Sequence, residues 1–195
     1  MTRKLKLFGV IAVISLALTA VAASAATAAP VFHVETVPAT ITGEQTTTQE
    51  ITTNSGVIRC TGATFHGVAS IIETTTQEVK PTYTGCTAFG FLASTVASNE
   101  CGYLFHLTAG GVSPFPATID VVCPSGKAIT VTSKFSNCVI NIGPPPVSGL
   151  TGVTFTNSGS KTTRDLNASF NVSGIKYAQT GSNCGGAKAN SSTAP

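Results

Sequence analysis

Apolar and polar residues alternate with a period of two along most of this chain, the period of a β-strand with one buried face. Tyr103, Phe105 and Leu107 share one parity, and Ile119, Val121 and Cys123 share one on the way back. Ala128-Ile-Thr-Val-Thr132 alternates apolar residues with threonine, as an antiparallel strand with one wet face does. Cys138, Ile140 and Ile142 make another inward set. So do Leu166, Ala168, Phe170 and Val172, with Asn167, Ser169 and Asn171 on the other side. Residues 31–37, 57–65, 68–76, 78–86 (interrupted at Pro81), 89–96 and 153–156 read as further strands, and 40–53 as a polar, β-prone stretch. Asn54-Ser-Gly56, Pro124-Ser-Gly126 and Asn157-Ser-Gly-Ser160 carry turn residues, and the prolines of Gly143-Pro-Pro-Pro146 break any ladder. About ten short strands with turns every 8–12 residues predict an all-β fold, an antiparallel β-sandwich first and a barrel second. With no Trp in the chain, the Cys–Trp–Cys core of an immunoglobulin domain is excluded.

The first residues follow another pattern. Met1-Thr-Arg-Lys-Leu-Lys6 is basic, the run from Leu7 to Ala23 is apolar, and Ala23-Ser-Ala25 is small. That order marks a secretory signal helix, cleaved after its small residues. A permanent anchor competes, since roughly 20 apolar residues span a bilayer, but the small residues favour removal. The expected plan is a signal peptide at 1–25, one β domain at 26–186 and a disordered polar tail at 187–195, in a secreted or cell-surface protein. No later stretch reaches membrane-spanning length, so no stable membrane insertion is expected after cleavage.

Cleavage changes the charge. The 11 basic residues include Arg3, Lys4 and Lys6, which leaves eight against eight acidic ones rather than a net +3. A near-neutral mature chain gives no electrostatic basis for binding nucleic acid or an acidic membrane surface. A cell-wall polymer or another protein stays open as the partner.

Six cysteines, Cys60, Cys86, Cys101, Cys123, Cys138 and Cys184, fit an exported chain as structural disulfides. None forms a C-x-x-C pair, which argues against redox or zinc chemistry. Six cysteines allow 15 connectivities. If Cys101 and Cys123 end the two strands of a hairpin, they meet at its open end. The expected scheme is then Cys60–Cys86, Cys101–Cys123 and Cys138–Cys184, with Cys123–Cys138 as the main competitor.

Candidate chemistry is thin. His33, His66 and His106 have no local metal-binding spacing, and there is no Gly-x-Ser-x-Gly, His-Glu-x-x-His or phosphate loop. No catalytic residue, cofactor or metal ligand is assigned. A triad of His106, Asp120 and a serine would have to assemble in space. Glu50 and Glu78 belong to two copies of Thr-Thr-Thr-Gln-Glu, at 46–50 and 74–78, read as similar strands whose acids face solvent. Thr130-Val-Thr132 and Thr154-Phe-Thr156 would make a flat hydroxyl face if their strands were neighbours, although plain β-propensity explains them. Asn167, Asn171 and Asn190 stand in glycosylation sequons by form.

The blocks Lys80-Pro-Thr-Tyr-Thr-Gly-Cys-Thr-Ala-Phe-Gly90, Val122-Cys-Pro-Ser-Gly-Lys-Ala-Ile129 and Gly174-Ile-Lys-Tyr-Ala-Gln-Thr-Gly-Ser-Asn-Cys184 resemble a group of uncharacterised exported bacterial proteins. The resemblance implies an exported, cysteine-stapled β protein and no particular activity. Two function classes follow: a non-catalytic structural or binding protein outside the cell, preferred, and a secreted hydrolase with a spatially assembled site. Convergence of His, carboxylate and Ser in one pocket would favour the second.

Overall fold

The computed structural model describes residues 7–8, 10–15, 19–21, 30–53, 56–108, 113–133, 137–143, 149–159, 164–181 and 184, the first three segments as backbone. The expected tail at 187–195 and the turns at 109–112 and 144–146 lie outside them. Every regular element among the described residues is a strand. They are β1 (Leu7–Phe8), β2 (Val10–Ser15), β3 (Thr19–Val21), β4 (Val31–His33), β5 (Ala39–Gln45) and β6 (Gln49–Thr53). Next come β7 (Gly56–Ala69), β8 (Glu73–Thr74), β9 (Thr76–Ala88), β10 (Leu92–Ala97), β11 (Gly102–Leu107) and β12 (Phe115–Val122). The last are β13 (Ile129–Ser133), β14 (Val139–Ile142), β15 (Leu150–Gly159), β16 (Arg164–Phe170) and β17 (Tyr177–Thr180).

All pairings are antiparallel, and the main sheet closes on itself. Its order runs β7-β5-β2-β16-β15-β12-β11-β9, and β9 pairs back onto β7 from Ile58↔Ala88 to His66↔Lys80. From this ring a second sheet, β10-β13-β14-β17, leaves through the β9–β10 hairpin, while β3, β4 and β8 form a small sheet of their own. The fold is all-β and sandwich-like, as the alternation predicts, and its hydrogen bonding closes a ring as the barrel alternative does.

One continuous core fills the interior. Phe155 meets Phe32 and Phe105 edge-to-face at centroid distances of 5.2 and 5.3 Å, and Phe105 leans on Phe170 at 5.6 Å. Burying each ring contributes roughly 1.5–3 kcal/mol, and each edge-to-face pair adds about 0.5–1.5 kcal/mol. The inward parities at Phe105, Leu107, Ile119, Val121, Cys138, Ile140, Ile142, Leu166, Ala168, Phe170 and Val172 are all buried.

Three features differ from the sequence reading. Residues 56–69 form one strand rather than two, and 76–88 runs straight through Pro81. Proline is tolerated because β9 leaves β11 at Val79, so no partner on that edge needs its missing N–H. The two long strands also change face midway. Ile58 and Cys60 are buried, then Ala63 and Phe65; Val79 and Pro81 are buried, then Cys86 and Ala88. Gly85 sits at the switch with φ of 61°, and a Cβ there would lie 2.1 Å from Thr61 Oγ1. The third difference is in the expected signal helix, whose described segments are strands. Val10, Ile11, Val13 and Ile14 are β-branched, which suits pairing with two flanking edges better than helix formation.

The disulfides are Cys60–Cys86, Cys101–Cys123 and Cys138–Cys184, and Cys123–Cys138 is not formed. Cys60 and Cys86 are direct cross-strand partners where β7 and β9 change face. Cys101 and Cys123 flank the Gly102↔Val122 pair at the open end of the β11–β12 hairpin. Three such bridges are typical of proteins that live in an oxidising, extracellular setting.

Candidate functional site

The titratable groups named from sequence pair off across strands. On the small sheet His33 Nδ1 lies 3.3 Å from Glu73 Oε1. His106 and Asp120 come from neighbouring strands of the ring, with His106 Nε2 2.9 Å from Asp120 Oδ2. The second Asp120 oxygen accepts the backbone N–H of Gly149. Among the described residues no serine hydroxyl is hydrogen-bonded to His106, so these residues supply the histidine and the carboxylate of a triad without a nucleophile. Glu50 is held by Arg59 Nε at 2.5 Å, Glu78 is exposed, and His66 lies exposed between Thr42 and Lys80 in the ladder. No three metal-ligating side chains gather among the described residues. The two Thr-x-Thr strings fall on β13 and β15, which are not neighbours, so they share no flat hydroxyl face. Of the sequons, Asn167 Nδ2 donates to Ser158 Oγ at 3.0 Å, Asn171 is exposed, and Asn190 lies outside the described residues.

What converges is a set of side chains that belongs to no sequence motif. Between the main ring and the second sheet the core leaves a partly open cavity with about 40 Å³ accessible to water-sized molecules, room for about three waters. Ile58, Phe65, Val121, Ile129, Ile142 and Phe170 are among its apolar walls, and no histidine or carboxylate lines it. Its polar groups are Gln49, Tyr83 and Tyr103. Gln49 leads β6, and it faces inward because it shares parity with buried Ile51 and Thr53. Tyr83 lies at the face switch of β9, and Tyr103 comes from β11.

The two tyrosine hydroxyls are hydrogen-bonded at 2.5 Å. Their rings are half-buried and their hydroxyls enclosed. Burial pushes the Tyr83 hydroxyl well above its ordinary range; a charge on Tyr103 and the bond to it push the same way, and the Gln49 amide pulls back. Burial also raises Tyr103, against the Tyr83 hydrogen bond. Both therefore stay neutral at physiological pH, as donors and acceptors rather than nucleophiles or bases. Gln49 is 5% exposed, and its Oε1 is buried with no hydrogen-bond partner. An unpaired buried amide oxygen costs about 1–3 kcal/mol. Nearby, Gln45 Nε2 donates to Cys60 O at 2.8 Å while its Oε1 is likewise unpaired.

The sequence carried a signal for this cluster. Gln49 and Gln77 occupy the same place in the repeated pentapeptide, each two residues before an inward aliphatic, Ile51 or Val79. Gln77 is buried too, and donates to Val68 O and Glu78 O at 3.3 and 2.9 Å. Polarity suggested solvated strands; parity places both glutamines inside. No protein-family model, curated protein or solved structure matches this chain.

Proposed function

We propose that the chain is an exported, non-catalytic binding protein of the cell surface or extracellular space, and that its site is the cavity walled by Gln49, Tyr83 and Tyr103. The observation that carries this reading is Gln49 Oε1, a buried hydrogen-bond acceptor that no protein group satisfies, facing an otherwise apolar cavity. Cavities with few convergent polar groups are the usual form of small-ligand sites. The fitting ligand is an apolar group of a few heavy atoms carrying one N–H or O–H donor, either free or as the end of a larger molecule. Export is supported by the basic–apolar–small leader and by three disulfides. The test is a panel of methanol, ethanol, 2-propanol and methylamine, small enough for the cavity, followed by chemical shifts of the Tyr83 and Tyr103 rings. Saturable shifts that vanish in Gln49→Leu support the reading. A panel that moves neither ring leaves the cavity a hydration site and overturns it.

The His106–Asp120 hydrogen bond favours a second reading, a secreted hydrolase. It needs a serine nucleophile delivered to His106, so a fluorophosphonate probe should label the protein, and labelling should fall in His106→Gln. Absence of labelling removes that alternative.

A further inference from the structure

The strand that closes the ring comes from the leader. β2 pairs with β16 over six residues, Phe170↔Val10 to Asp165↔Ser15, and with β5 at Gln45↔Ala12 and Glu44↔Val13. It is antiparallel to both, so β5 and β16 run in the same direction and cannot form an antiparallel pair with each other. Every other strand of the ring lies at residue 39 or later. If export removes residues 1–25, the ring loses one strand and is left with two parallel-running edges. They stand about 10 Å apart, twice the spacing of paired strands. Such edges are templates for pairing with another chain.

We propose that the processed protein carries a strand-accepting slot between β5 and β16, filled in trans by an extended, uncharged, β-branched segment of another polypeptide. This rests on the export reading above. The occupant's chemistry follows from what the slot accommodates in this chain. The buried residues Phe170, Ala168 and Leu166 stand opposite Val10, Ala12 and Ile14, an aliphatic–small–aliphatic order. Opposite the remaining positions come the exposed Ser169 and half-buried Asn167 and Asp165. Glu44 and Asp165 border the slot from its two sides, so an acidic segment would meet like charge. Main-chain bonds to both edges would supply affinity, and the alternating pockets would supply register.

The test uses the protein recovered from the medium of a secreting host, with its N-terminus sequenced. A labelled peptide spanning residues 8–16, with two lysines added for solubility, is titrated and its anisotropy followed. The expected result is an N-terminus near Ala26, saturable binding, and at least tenfold weaker binding by the Ala12→Pro peptide, because proline removes a ladder donor. A peptide with the same residues shifted one place in parity should weaken similarly. Correctly processed protein that ignores the peptide, or that takes the proline peptide equally well, overturns the slot and leaves the export reading standing. Secreted protein that retains residues 10–15 overturns the cleaved leader and the slot together.

Discussion

Replacing Gln49 by Leu should make this protein more stable. Gln49 Oε1 is buried without a partner, and relieving it returns about 1–3 kcal/mol. The same change removes the Gln49 amide from beside the Tyr83 hydroxyl, a polar interaction worth about 0.5–1.5 kcal/mol net. Tyr83 is not orphaned, because its hydroxyl keeps the 2.5 Å bond to Tyr103. Leucine is close to glutamine in volume and joins Ile51 and Ile58 on an apolar wall, so no new void opens. The balance is a gain of about 1 kcal/mol, or roughly 2–4 °C in Tm for a chain of this size. Urea denaturation at pH 7 with the disulfides intact measures it, as a higher midpoint at unchanged slope. A loss of 1 kcal/mol or more would show the opposite. It would mean that an ordered water satisfies Oε1 and that the amide serves the scaffold rather than ligand recognition.

Alkali should destabilise the fold through the tyrosine pair. Tyr83 and Tyr103 are raised in the folded state, so their contribution is complete below the unfolded value near 10. It is lost as pH climbs from there through the folded values, at up to about 1.4 kcal/mol per pH unit for each group. Absorbance titration at phenolate wavelengths should show both ionising late or only with unfolding, and ordinary titration of both in the folded protein would contradict this. Removing the 46-residue Cys138–Cys184 bridge as a double alanine variant should cost about 4 kcal/mol in the chain-entropy estimate, against about 3.5 kcal/mol for each of the others, by the same urea assay. A loss under 1 kcal/mol would place the last segment outside the cooperative unit. Gly152→Ala should cost about 3 kcal/mol or more, since Gly152 holds a φ of 97° and its Cβ would fall 2.1 Å from Asn171 O. Near-native melting would show that the bulge there, where the β12–β15 register slips between Ala117↔Val153 and Ile119↔Leu150, can relax.

The local rules were legible where their causes are local. Side-chain parity placed Phe105, Ile119, Ile140 and Leu166 inside because alternation is a property of any extended backbone. The hairpin between Cys101 and Cys123 followed from two strands and a short connection, and it brings those two cysteines together. Three things depended on tertiary structure. β7 and β9 change face at Cys60–Thr61 and Thr84–Cys86 because each strand pairs with different neighbours along its two halves. An unbroken period-two count cannot register such a change. Gln49, Tyr83 and Tyr103 meet through strands that lie 20 or more residues apart in sequence, so no local motif announces them. Ring closure by Val10–Ser15 is the furthest from local: its composition reads as a leader, and only the two flanking edges of β5 and β16 give it a place in the sheet. Alternation decides which way a residue points. Which strands stand beside it is decided by the whole chain, because pairing partners are chosen by the burial of distant segments.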